Sequence, residues 1–124
     1  MRDFVYSRIR SFGHAFAGLK YVLKTQKNAW IHTIATISVI CLAFCLQIPA
    51  HDFAILILTI GTVWTAEFIN TSLEAVVDLA SPQKHPLAKV GKDVGAAAVL
   101  IAALSSVIIG VIILGPPLIQ KFGF

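Results

Sequence analysis

Apolar positions run along this chain in three long blocks and one sparser, regularly spaced series. Ala29 to Leu46 carries no formal charge, with His32, Thr33, Thr36 and Ser38 as its polar interruptions. A second block begins at Phe53 and turns polar after Trp64. It reads as one helix over 53–79, roughly 40 Å long at ~1.5 Å per residue, enough to cross a bilayer and emerge. The third block, Asp93 to Leu114, has no charge after Asp93, and Gly115-Pro116-Pro117 is expected to stop it. Ser81-Pro82 and His85-Pro86 interrupt the chain between the last two blocks. The pattern therefore predicts spans over 29–47, 53–79 and 92–115. Ahead of them, Val5, Ile9, Phe12, Phe16, Leu19 and Leu23 recur every three or four residues, one face of a helix. Arg8, Ser11, Lys20 and Lys24 occupy other directions, so 1–28 is expected to be an amphipathic helix on a membrane surface. A helix packed on the spans is the alternative. The segment holds no continuous apolar run or small-residue cleavage site, so it does not read as a signal peptide.

Composition sharpens this. Of 124 residues, 57% are hydrophobic and only 13% charged, against about 25% charged in a soluble domain. The fold class expected is an all-α integral membrane protein forming a single domain over 1–124. Arg2, Arg8, Arg10, Lys20, Lys24 and Lys27 precede the first span, and Lys84, Lys89 and Lys92 surround the second connection. The turn 47–52 has no lysine or arginine, and only Lys121 follows the third span. The positive-inside rule then predicts a cytoplasmic N-terminus and 80–92 loop, with the turn and C-terminus outside. The net charge of +4 comes from residues flanking apolar runs and not from a separate basic face, so nucleic acid is not an expected partner. Cys41 and Cys45 read as small apolar filler within the first span.

The costly residues carry the chemistry. A carboxylate at a bilayer centre costs about 2.5–3.5 kcal/mol even on a lenient scale. Glu67, Asn70, Glu74 and Asp78 nonetheless continue the second span at spacings that keep them within roughly 80° of one helical stripe. Lys92 and Asp93 open the third span at the same depth. Acids to hold a hard cation, a lysine to neutralise phosphate and a carboxylate to take a proton are the requirements of a metal–phosphate site. Interhelical hydrogen bonding by Glu67 and Asn70, with Asp78 paired to Lys92, is the structural alternative. Gly91, Gly95 and Ala96 to Ala98 would allow close backbone approach there. The phosphate loop of soluble kinases is missing: Pro86 stands where its first glycine would fall, and no Ser or Thr follows Gly91-Lys92.

Residues 66–78, Ala-Glu-Phe-Ile-Asn-Thr-Ser-Leu-Glu-Ala-Val-Val-Asp, resemble the signature of the small prokaryotic diacylglycerol kinase and undecaprenol kinase family. So do Ala88 to Asp93 with Gly95 to Leu100, Phe12 to Leu19, and Asn28 with Ile31-His32. The resemblance covers nearly the whole chain. It implies a homotrimer of three-span subunits with an N-terminal surface helix, in a bacterial inner membrane, with sites shared between subunits.

The resemblance further implies transfer of the ATP γ-phosphoryl, with Mg²⁺, to the primary hydroxyl of diacylglycerol or undecaprenol. Ile31-His32 leans toward the undecaprenol branch. Glu67 matches the general base and Glu74 a carboxylate for the metal. His14, Asn70, Asp78, Lys92 and Asp93 match positions around nucleotide and phosphate. At Gln26 the family's best-known members have a glutamate that shares the metal, so weaker or rearranged metal binding is expected here. That departure favours an alternative: a non-catalytic member acting as a nucleotide- or lipid-binding assembly subunit. An ion or proton pathway would account for buried acids generally, but not for their gathering at one end.

Overall fold

The computed structural model describes residues 1–123 and is helical almost throughout. Four helices follow in order: α1 (Arg2–Thr25), α2 (Lys27–Leu46), α3 (Ala50–Ala80) and α4 (Pro86–Phe122). The last three are long and apolar enough to cross a membrane. Along them Ile37, Leu58, Ile69, Ile101 and Ile112 stand exposed, a surface that suits lipid and would be prohibitive in water. The chain is a multi-pass membrane protein. α4 packs chiefly along α3, α2 lies against both, and α1 meets α2. Phe124, on the terminus expected outside, lies beyond the described residues, as does the Arg2 side chain in the charge count.

Each connection has a local cause. α1 ends two to three residues before the expected boundary, at one extended residue, Gln26 (φ −98°, ψ 116°), which caps α1 and opens α2. Its N–H donates to the Val22 carbonyl, and its own carbonyl accepts from the Ala29 N–H. This elbow has neither Gly nor Pro, which is why periodicity ran through it. The α2–α3 turn is a Schellman arrangement: the Gln47 N–H donates to Phe44 and the Ile48 N–H to Ala43. Gln47 itself is left-handed (φ 53°), and Pro49 starts α3. Between α3 and α4, His85 Nδ1 accepts from the Leu87 N–H, and Pro86 occupies the first turn, where its missing N–H costs nothing.

Two sequence expectations need correction. Helix α4 begins at Pro86 rather than 92, so the expected 80–92 loop shrinks to Ser81–His85, and Lys89 and Lys92 ride on helix. At its other end, Pro116 and Pro117 do not stop α4, which continues to Phe122. Two prolines remove only the bonds to the Ile112 and Ile113 carbonyls. The turns beyond are anchored: Lys121 Nζ donates to the Cys45 carbonyl at 2.5 Å, a cation at the C-terminus of α2.

The apolar core gathers at the α2–α3 turn. Ala43, Leu56 and Leu114 are buried there, with Leu42, Ile48, Phe53 and Ile113 packed around them. At the opposite end the buried positions are different in kind. Glu67, Asn70 and Thr71 are buried beside Ala29 on α2 and Gly95 and Val99 on α4.

Candidate active site

Helix α3 sets the polar stripe, and its neighbours divide it into two clefts. The first, about 270 Å³, lies between α2, α3 and α4 and is lined by Gln26, Asn28, His32, Glu67, Asn70 and Glu74, with Ala96 to Ala103 of α4 closing the wall. The second, about 670 Å³, opens under the α3–α4 connection and is lined by Asp78, Lys84, His85, Lys89, Lys92 and Asp93. The six polar positions expected to form one cluster therefore fall three and three: Glu67, Asn70 and Glu74 in the first cleft, Asp78, Lys92 and Asp93 in the second. His14 stands exposed on α1, outside both.

In the first cleft Glu67 is the deepest group, only 2% exposed. Thr71 Oγ1 donates to the Glu67 backbone carbonyl at 2.9 Å, which leaves the carboxylate itself unserved. The near side chain is His32, whose Nε2 lies 3.7 Å from Glu67 Oε2. Asn70 Nδ2 donates to Glu74 Oε1 at 3.2 Å, tying the buried amide to the half-buried acid. Asn70 Oδ1, Glu67 Oε2 and His32 Nε2 are all buried without a hydrogen-bond partner. Three such atoms in one region are costly unless something they bind fills the cleft.

Gly95 explains how α4 comes so near. A Cβ there would collide with Asn70 Oδ1 and stand 3.1 Å from Leu73 Cδ2. Only glycine admits this contact. Gly91 imposes no such demand, since a Cβ there would sit at an ordinary 3.7 Å from Val77 Cγ2.

The second cleft is ordered by ion pairs. Lys92 Nζ lies 2.6 Å from Asp78 Oδ1 across α3 and α4, and Lys89 Nζ 2.5 Å from Asp93 Oδ2 one turn along α4. The Asp78–Lys92 pairing that belonged to the structural alternative is thus formed, and Lys92 would meet an incoming phosphate as a paired cation.

A sequence profile described as prokaryotic diacylglycerol kinase matches residues 13–114. The chain belongs to that family. It is 46% identical over 111 residues to a diacylglycerol kinase of Synechocystis sp., a match covering 89% of this chain and 63% of that protein. It is 37% identical over 109 residues to the undecaprenol kinase of Bacillus subtilis, covering 88% of this chain and 89% of the relative. A diacylglycerol kinase of Escherichia coli K12 is 31% identical over 106 residues, covering 86% and 87%. The family resemblance read from the motifs is therefore correct, and the family includes proteins named for both lipids.

Among the described residues, no three His, Cys, Asp or Glu side chains converge as a metal-ligand set. The oxygen donors lining the first cleft are the Glu67 and Glu74 carboxylates with the side-chain amides of Gln26, Asn28 and Asn70. Hard oxygens of this kind, few in number, fit a magnesium ion that keeps waters and phosphate oxygens as its other ligands. Sequence reasoning treated His32 only as a polar interruption and a branch marker. The structure turns it toward Glu67, a contact between two helices that no pattern within α2 announces.

Proposed function

We propose that this chain is a membrane lipid kinase that transfers the γ-phosphoryl of MgATP to the primary hydroxyl of undecaprenol or diacylglycerol. Membership of the family supports the reaction class. The observation that carries the site is a nearly inaccessible carboxylate, Glu67, in a cleft that it lines together with the Asn70–Glu74 pair further along the same helix.

Glu67 takes the hydroxyl proton. The alcohol oxygen forms its bond to the γ-phosphorus as the bond to the β–γ bridging oxygen breaks, and ADP leaves with that oxygen. Such a transfer asks for position and charge neutralisation more than for covalent chemistry by the protein. Glu74, helped by the Gln26 amide oxygen, would hold the magnesium, which neutralises phosphate charge when bound. Asn70 orients Glu74. Lys92, Asp78 and Asp93 receive the outer phosphates or the nucleotide from the second cleft, and His14 contacts nucleotide from α1. Three further expectations belong to this reading: α1 rests on the cytoplasmic face of a bacterial inner membrane, the chain assembles as a homotrimer, and a neighbouring subunit helps bring the two clefts to one substrate.

The test is phosphate transfer from labelled ATP by purified protein in vesicles holding equal diacylglycerol and undecaprenol, with Glu67→Gln as the blank. A labelled lipid absent from the blank supports the kinase and names its alcohol. Gln26 favours a second reading, a non-catalytic nucleotide- or lipid-binding subunit. It predicts no product with either lipid across several divalent metals while the assembly remains intact.

A further inference from the structure

Of the three unpartnered buried atoms, two face each other. His32 Nε2 and Glu67 Oε2 lie 3.7 Å apart, with side chains 13% and 2% exposed. A buried carboxylate needs a donor, and Glu67 has no other side-chain donor among the described residues. The imidazole is itself held. Trp64 presents its ring to His32 in an edge-on contact, centroids 6.1 Å apart at 68°, and Trp64 Nε1 donates to Thr36 Oγ1 at 3.1 Å. Thr36 and His32 are one turn apart on α2, so one element fixes both ends of this contact. Among the described residues, the titratable groups facing His32 across the cleft are Glu67 and Glu74 of α3; α4 contributes Ala96, Val99, Leu100 and Ala103.

His32 also stands on a seam. It lines the polar cleft and an adjoining apolar cleft of about 200 Å³ walled by Val39, Val63, Trp64 and Val107. A lipid alcohol needs that junction, with its hydroxyl on the polar side and its chain on the other.

We propose that His32 is a positioning residue for phosphoryl transfer, donating from Nε2 to Glu67 Oε2 in the loaded site and leaving the second carboxylate oxygen as the base. The proposal rests on the reading of Glu67 as that base. Closing 3.7 Å to hydrogen-bond distance takes a shift of under an ångström, a tightening common when substrate fills an active site. The proton balance is simple: the alcohol proton passes to the free oxygen of Glu67, and His32 keeps its own throughout.

The experiment compares His32→Leu, which keeps bulk but has no donor, with His32→Gln, whose amide N–H reaches as far as Nε2. Both are assayed in vesicles with either lipid. His32→Leu should lower kcat on the order of 10- to 100-fold with the KM for MgATP within about twofold, and His32→Gln should recover most of the rate. In a Glu67→Asp background, where the carboxylate is already withdrawn, His32→Leu should add little further loss. Native turnover by His32→Leu overturns the proposal. So does a His32→Gln variant as slow as His32→Leu, or an equal loss in the Glu67→Asp background. Native turnover by Glu67→Gln instead overturns the base assignment and this proposal with it, whereas an inactive Glu67→Gln beside an active His32→Leu overturns this proposal alone. Should His32→Leu fail to assemble, His32→Asn, polar but too short to reach, replaces it in each comparison.

Discussion

Where α2 turns into α3, Ala43, Leu56 and Leu114 close on one another with an apolar collar and no buried polar side chain among them. Toward the loop end, from the middle of α3 onward, the buried polar positions are Glu67, Asn70 and Thr71, and polar atoms there lack partners among the described residues. The same three helices build both ends. At the turn end, ordinary packing is sufficient reason for each residue. At the loop end, packing is spent against solvation: Gly95 surrenders its side chain so that α4 can press on an amide oxygen that nothing among the described residues satisfies. On the proposed reading, structure is therefore held mainly at one end of the bundle, and chemistry is prepared at the other.

Substitutions can break that division. The largest effect should be on rate at the loop end. Glu67→Gln is expected to lower turnover by at least about 100-fold while the thermal midpoint in detergent stays level or rises, because a buried carboxylate is replaced by a neutral amide. A fall in both would make Glu67 an interhelical strut. Next comes the turn end, where Leu56→Ala should cost about 2–3 kcal/mol of stability. Its kcat at a permissive temperature should match the native protein, measured by denaturation and initial rates on the same preparation.

Gly95→Ala sharpens the contrast, since it belongs to both accounts. Forcing a methyl against Asn70 and Leu73 should cost about 1–3 kcal/mol and reduce kcat together with it, as Asn70 is driven from Glu74. If the rate survived while stability fell, the Asn70–Glu74 bond would have no place in the reaction. The smallest effect is expected at Gln47, whose left-handed backbone suits glycine. Gln47→Gly should raise stability by no more than about 1 kcal/mol and leave turnover unchanged.

The three spans and the all-helical class were legible because long uncharged runs leave few alternatives, and the motif around Glu67 carried the family. The boundaries were less so. Gln26 breaks α1 from α2 through backbone geometry alone, and Pro116-Pro117 resemble a stop although only two backbone bonds are lost there. The division of the polar stripe into two clefts could not be read from helical phase. It depends on where α4 starts, and Pro86 as a first-turn residue moved that start by six positions. His32 escaped notice for a related reason: its meaning lies in a contact with α3, across thirty-five residues of sequence.

The paired prolines of α4 act as a depth gauge. The carbonyls of Ile112 and Ile113 lose their helical N–H partners, and hydrocarbon offers none, so a position near water or headgroups would satisfy this level of the helix. Counting back the ~20 residues that fill a dry bilayer interior about 30 Å thick arrives at Lys92 and Asp93. On that placement the two charges and the two carbonyls would mark opposite shorelines of the membrane. On that ruler Gly95 sits one turn below the nearer shore, and Asn70, pressed against it, is submerged to the same level. Under the proposed reading, a soluble nucleotide and a dissolved lipid hydroxyl would meet at that waterline without either leaving its own phase.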